Sequence, residues 1–225
     1  MHPLHKDIRH NPLLWLLAFV PVVFAALKLT PEPDTLSFDT ADFTLKRVKS
    51  SQTIAALQPK GAGGFDFTPA DKLEIRSIDG FNSVGDLTLR VRQQGSAGWQ
   101  TFSTSAAKRP IEVLPASGSV LAAANLGPTL PANCPIQVIR RWVLDNGKLV
   151  LRFELKNTAA QRVEIGALGM PMIFNNMLKG RPLTEMVQVN SFTDPAINAD
   201  GGYLPVTRLS GHGPALVVVP EGKTP

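Results

Sequence analysis

Alternating apolar and polar residues mark one clear strand in the first half of the chain. In residues 86–92 the apolar positions are Leu87, Leu89 and Val91, and threonine or arginine stands between them. A period of two is typical of a strand that buries one face and shows the other to solvent. The pattern therefore predicts a half-buried strand whose outer face carries Arg90 and Arg92.

The same period continues through two longer segments, residues 137–144 and 148–156, which flank Asn146 and Gly147. An Asn-Gly pair provides the positive φ angles that a tight two-residue hairpin turn requires. The apolar positions of the second arm are Leu149, Leu151, Phe153 and Leu155. The pattern predicts a long antiparallel hairpin, and its apolar face needs a second sheet to cover it.

Shorter apolar runs separated by turn residues fill the rest of the chain. Strands are indicated in residues 36–45, 50–57, 99–103, 205–209 and 215–219, residues 184–189 fit a short helix or a strand, and residues 163–174 are strongly apolar. The 18 Gly and 19 Pro punctuate the turns, and no βαβ alternation is present. We predict an all-β fold, an antiparallel β-sandwich of supersandwich type over residues 37–225, preceded by one short hydrophobic helix.

The residues before this domain divide into a basic tail (1–12), an apolar segment (13–29) and a proline-rich linker (30–36). As a helix, the uncharged run 13–27 would rise about 23 Å, which is short of a hydrocarbon core of about 30 Å. Three interpretations stay open: a cleaved secretory signal, an uncleaved transmembrane anchor, and a buried helix of the fold. The first two place the main domain outside the cytoplasm, either secreted or anchored to the membrane.

Charge and composition exclude several classes of protein. The net charge is +5 over 225 residues and no run of five basic residues occurs, so we predict no nucleic-acid partner. One histidine, His212, follows the apolar segment, and Cys134 is the one cysteine. These residues are too few for a zinc site or for a nucleophile with its histidine base. We predict no catalytic residue, no metal and no cofactor.

Sugar binding by a β domain calls for exposed aromatic rings that stack on the sugar, with amides and carboxylates nearby. Trp99 follows a turn and is the better exposed candidate, whereas Trp142 lies in a hairpin arm and is expected in the core. Asp194 and Asp200 share one loop, and a pair of carboxylates is also what glycoside hydrolysis needs. The candidate ligand-binding residues are Trp99, Asn175, Asn176, Asp194, Asp200, Tyr203 and His212.

The N-terminal segment resembles one known family. Asn11-Pro12 with the following Leu-Leu-Trp-Leu-Leu, residues 19–22 and residues 31–36 are together similar to the first helix of bacterial calcium/proton antiporters. The resemblance covers about residues 11–36 and implies a membrane helix. It carries no transporter residue over, because the chain has no second apolar span and no acidic residue within the first.

The main domain resembles another group of proteins. The resemblance rests on five blocks: residues 50–60, 65–69, 85–90, 149–157 with 163–169 and 174–176, and 203–214. They are similar to the N-terminal region of microbial proteins grouped with six-hairpin glycosidases. The resemblance implies a two-part enzyme, in which a β-sandwich precedes a helical barrel that carries the active site. The sequence stops at Pro225, where the barrel would follow.

From these observations we predict a non-catalytic β-sandwich, the front part of a glycoside-hydrolase-like protein without its helical catalytic barrel. The expected partners are carbohydrate, a helical-barrel domain, and a membrane contacted through residues 13–29. One alternative is a carbohydrate-binding module that acts by itself. A second alternative is a small glycosidase that depends on the carboxylates of Asp194 and Asp200.

Overall fold

The computed structural model describes residues 34–69, 73–174, 181–193, 196–198 and 201–221. Strands account for 43% of the structure and helices for 8%. The strands are β1 (Thr35–Asp39), β2 (Phe43–Val48), β3 (Ile54–Pro59), β4 (Thr88–Gln93), β5 (Gln100–Ser103), β6 (Glu112–Leu114), β7 (Val120–Asn125), β8 (Ile136–Asp145), β9 (Lys148–Asn157), β10 (Val163–Gly169), β11 (Ser191–Thr193), β12 (Ala196–Asn198), β13 (Gly201–Arg208) and β14 (Leu216–Val218). The helices are α1 (Leu73–Arg76) and α2 (Leu183–Val189), and a turn of 3-10 helix covers Gly127–Thr129.

These strands pair antiparallel and form four sheets. Two sheets have three strands, in the orders β1-β2-β3 and β10-β4-β5. Two have four strands, one in the order β6-β7-β8-β9 and one in which β13 pairs with β11, β12 and β14. The prediction of an all-β antiparallel fold is confirmed.

The β6–β9 sheet packs one face against both three-stranded sheets. Trp142 on β8 lies in a buried cluster with Leu45 and Ile54 of the β1–β3 sheet. Val138, four residues earlier on the same face of β8, lies in a second buried cluster with Leu89 of the β10-β4-β5 sheet. Apolar side chains of facing sheets therefore interlock as they do in a sandwich, which agrees with the predicted architecture.

The long hairpin of β8 and β9 has the predicted turn. Asp145 pairs with Lys148, which leaves Asn146 and Gly147 as a two-residue loop with φ angles of 48° and 78°. Both angles lie in the left-handed region that a hairpin turn of this type requires, and an Asn-Gly pair adopts them most easily. The sequence signal for this element is therefore confirmed.

Buried hydrogen bonds tie β8 to two loops. The guanidinium of Arg140 donates to the carbonyl oxygen of Gly85 at 2.5 Å and to that of Ser51. The indole Nε1 of Trp142 donates to the carbonyl oxygen of Gln52 at 3.0 Å. Because these carbonyls are withdrawn from water, their partners must come from the protein. The two side chains fix the turn between β2 and β3 and the segment directly before β4.

The first strand begins at Thr35, so the last two residues of the proline-rich segment 30–36 pair with β2. The predicted hydrophobic helix of residues 13–29 lies outside the described residues. Within the described part of the chain, no helix is both long enough and apolar enough to cross a membrane.

Candidate carbohydrate-binding face

Trp99 lies on the outer face of the β10-β4-β5 sheet, directly before β5. Leu89 and Val91 on β4 point into the core, so Arg90 and Arg92 occupy the outer face, as their alternation predicts. Val91 pairs with Gln100. The next pair along the two strands sets Trp99 beside Arg92, so the indole starts on β5 and lies toward β4.

The indole of Trp99 is held by contacts from both neighbouring strands. The guanidinium carbons of Arg92 and Arg90 lie 4.5 Å and 5.0 Å from its ring centroid, which is cation–π distance. On β10, the pairing register shifts between Ile165 and Ala167, as at a β-bulge. A Cβ added to Gly166 at this bulge would lie 2.6 Å from two atoms of the indole. The ring therefore spans three strands, and glycine makes the space for it on the third.

Charge on this face is partly neutralised. Arg92 Nε donates to Glu164 Oε2 at 2.5 Å, in a pair that is partly open to solvent. Arg90 is exposed, and no carboxylate of the described residues forms an ion pair with it. The Arg90 guanidinium carbon lies at cation–π distance from Trp99 and the residue is exposed, so its N–H groups can be reached from solvent. Within the described part of the chain, the positive charge of Arg90 at the border of the indole therefore has no carboxylate partner.

Small and hydroxyl-bearing residues continue the face along the strands. On one row Arg90 pairs with Thr101 of β5 and Ala167 of β10, and on the next row Thr88 pairs with Ser103 and Gly169. We call this surface the Trp99 face; it comprises Thr88, Arg90, Arg92, Trp99, Thr101, Ser103, Glu164, Gly166, Ala167 and Gly169. A half-buried aromatic ring, a free guanidinium and short polar neighbours can stack on a sugar ring and hydrogen-bond to its oxygens.

Two of the remaining predicted ligand residues, Tyr203 and His212, do not join this face. Tyr203 is half-buried on β13, where it pairs with Ala196. His212 is exposed in the turn between β13 and β14, and its backbone N–H donates to Ser210 Oγ at 3.3 Å. Both belong to a different sheet from Trp99. The other four predicted ligand residues lie outside the described residues: Asn175, Asn176, Asp194 and Asp200.

Two other sequence predictions concern Trp142 and Cys134. Trp142 is 2% exposed, which confirms its expected place in the core. Cys134 is half-buried, its Sγ lies 3.5 Å from the carbonyl oxygen of Ile136, and burial raises the pKa of the thiol. Among the residues that the structure describes, no group of three or more His, Cys, Asp or Glu side chains is arranged to hold a metal ion.

Sequence reasoning missed the arginines as part of the Trp99 face. Alternation alone places Arg90 and Arg92 on the outer face of β4, and the turn at residues 95–98 brings the chain back beside them. A hairpin register centred on that turn would have paired Arg92 with Thr101, whereas the observed register pairs Val91 with Gln100 and so places Trp99 beside Arg92. The contribution of β10 had no local signal, because Glu164 and Gly166 are about seventy residues away along the chain.

A second surface feature is an exposed apolar edge beside the Trp99 face. We call Ile165, Leu168 and Met170 the β10 strip; they are 48%, 53% and 44% exposed. Ile165 pairs with Val91 and Leu168 with Leu89, so both stand on the core side of the sheet. β10 is the edge strand, and the described residues leave its core side uncovered. Several exposed apolar side chains along one edge strand and directly after it are typical of contact surfaces.

The fold and the Trp99 face define an all-β sandwich domain with an aromatic outer face. The chain belongs to a family of unknown function, DUF5695, whose family model matches residues 46–225. No curated protein matches the chain.

The fold is also similar to part of a solved structure described as a polysaccharide lyase, with a TM-score of 0.56 and 14% sequence identity. The match covers 79% of this chain and 24% of the lyase chain. The chain therefore spans about a quarter of the length of the lyase that it matches.

Proposed function

We propose that this chain is a non-catalytic β-sandwich of a carbohydrate-active protein and that it binds glycan through the Trp99 face. The observation that carries the proposal is the indole of Trp99, which lies along the outer face of three strands between exposed polar groups. Such a ring offers a sugar both an apolar stacking surface and neighbouring hydrogen-bond donors. The likeness in fold to a quarter of a polysaccharide lyase supports the same class of partner.

The proposal includes a place in a larger protein. The match covers 79% of this chain but 24% of the lyase chain, so most of the lyase lies outside the matched region. The resemblance of the main domain to glycosidase-like proteins agrees with a β-sandwich that accompanies a helical catalytic domain. Export or membrane anchoring through residues 13–29 would bring such a protein to extracellular polysaccharide. Catalysis by Asp194 and Asp200 stays a prediction, since both lie outside the described residues.

Removing the indole tests the glycan-binding proposal. We expect Trp99→Ala to weaken binding of the full chain to a soluble polysaccharide at least tenfold, about 1.4 kcal/mol, because the stacking surface is lost. Isothermal titration calorimetry against a neutral glucan and a polyuronate measures this change. Phe81→Ala is the matched control, because Phe81 is also a partly exposed aromatic and lies in a turn outside the sheet.

Two results would contradict glycan binding at this face. One is that the full chain binds no polysaccharide of the panel. The other is that Trp99→Ala and Phe81→Ala bind as well as the unchanged chain. Circular dichroism of each variant confirms that a loss of binding is not a loss of the fold.

The β10 strip supports a second function, that of a packing surface for the helical domain. Without such a domain, the apolar side chains of Ile165 and Leu168 are in water, where burial of each would release roughly 1.5–3 kcal/mol if complete. We therefore expect the chain to self-associate at high concentration. The double variant Ile165→Lys with Leu168→Lys should lower the apparent mass in sedimentation velocity and leave the melting temperature within a few degrees.

Val113→Lys is the control for this experiment. Val113 is 63% exposed on β6, the edge strand of another sheet, so the substitution also adds an edge charge. A chain that stays monomeric at millimolar concentration, or that loses association equally in both variants, would exclude the β10 strip as a packing surface.

A further inference from the structure

We infer that the Trp99 face prefers an acidic glycan, a polysaccharide that carries carboxylate or sulfate groups. The inference rests on the proposed glycan binding and adds the chemical class of the ligand. It is drawn from the way in which the two arginines of the face differ.

Arg92 is already committed to a carboxylate. Its Nε donates to Glu164 Oε2 at 2.5 Å while its guanidinium stacks on Trp99. The pair is fixed by strand register, because Glu164 and Arg92 stand directly opposite each other on β10 and β4. An anionic ligand would have to displace Glu164 to reach the neutralised Nε edge of Arg92.

Arg90 is the arginine that remains free for a ligand. It faces the same way as Arg92, its guanidinium carbon lies 5.0 Å from the ring centroid of Trp99, and it is exposed. Its neighbours in the sheet are Thr101 and Ala167, which carry no charge. The N–H edge of a guanidinium matches a carboxylate or a sulfate with two parallel hydrogen bonds.

In this arrangement the indole of Trp99 would position the sugar ring, and Arg90 would favour an acidic sugar over a neutral one. A sugar that stacks on Trp99 brings its ring substituents to the border of the indole, where the Arg90 edge is available. A carboxylate there gains a charge-assisted hydrogen bond, whereas the hydroxymethyl group of a neutral sugar gains a weaker one. The stacked arrangement also holds the Arg90 side chain in place, so less rotamer freedom is lost on binding.

The test compares a polyuronate with a neutral glucan, each titrated into the full chain by calorimetry at low salt. We expect the polyuronate to bind at least tenfold more tightly, and Arg90→Gln to remove that advantage by weakening binding of the polyuronate much more than binding of the neutral glucan, which loses only a weaker hydrogen bond. Arg90→Lys should restore only part of the preference, because an ammonium cannot form the two parallel bonds. Arg109→Gln, a change of the same charge at an exposed arginine between β5 and β6, should have no effect.

Three kinds of result would contradict either the acidic preference or the proposed function. Equal affinity for both polysaccharides, or an equal loss for both in Arg90→Gln, would overturn the acidic preference and leave glycan binding at Trp99 intact. Absence of binding to both would instead overturn the proposed function. Binding of duplex DNA as tight as that of the polyuronate, and unaffected by Trp99→Ala, would show general attraction to polyanions and overturn the inference as well.

Discussion

Arg47 and Arg140 are both fully buried, but the contacts around each side chain should make them contribute differently to the stability of the fold. Each is 1% exposed, and burial lowers the pKa of each to about 10. Arg140 donates hydrogen bonds to the carbonyl oxygens of Gly85 and Ser51. The guanidinium carbon of Arg47 lies 4.4 Å from the ring centroid of Phe38, and among the described residues its Nε and Nη1 atoms have no hydrogen-bond partner, whereas in Arg140 only Nε has none. Both side chains are buried, but Arg140 donates to backbone acceptors that are withdrawn wholly or partly from water.

The same substitution should therefore destabilise the protein much more at position 140 than at position 47. Arg140→Met removes the donor from the buried carbonyl of Gly85 and from the partly buried carbonyl of Ser51, and should lower the free energy of unfolding by about 2–4 kcal/mol. Arg47→Met removes a buried charge that lacks hydrogen bonds at two atoms, so it should change stability by less than about 1 kcal/mol or raise it. Urea denaturation at pH 7 measures both. Equal losses in the two variants would show that the hydrogen bonds of Arg140 are not what stabilises the loops.

At the scale of the element, β10 shows what an apolar run leaves undetermined. Residues 163–174 are plainly apolar in sequence, yet most of β10 is exposed. An apolar run indicates that a segment prefers burial, but whether a neighbour covers it depends on the order of strands in the sheet. β10 is an edge strand, and its bulge at Gly166 leaves space for the indole of Trp99 on the outer face of the sheet.

Gly166→Ala should disturb β10 through Trp99. The added Cβ would lie 2.6 Å from the indole, so the ring must move. We expect a change in tryptophan fluorescence, a loss of about 1–3 kcal/mol of stability, and weaker glycan binding. Gly169→Ala on the same strand is the control, because its Cβ would lie an ordinary 3.8 Å from Thr88. If Gly166→Ala behaves like Gly169→Ala, the indole does not rest against β10 as described.

At the scale of the whole molecule, the periodicity of apolar residues predicted the fold class, whereas the residue types predicted only part of the candidate site. Strand alternation, the Asn-Gly turn and the lack of βαβ order were enough for the all-β sandwich, because each reports a local backbone preference. The Trp99 face needed two further strands and a glycine from a distant segment, and these are set by tertiary pairing. Trp99 was identified from its place after a turn, whereas the roles of Arg90, Glu164 and Gly166 became visible only with the register of the sheet.

The most direct test of glycan binding at Trp99 follows the indole N–H signals of the full chain by NMR while polyuronate is added. We predict that the Trp99 signal, assigned with the Trp99→Phe variant, shifts and saturates. The Trp142 signal should stay in place, because its Nε1–H is bonded to Gln52 within the core. A Trp99 signal that does not move at millimolar sugar, or that moves only together with that of Trp142, would contradict binding at this face.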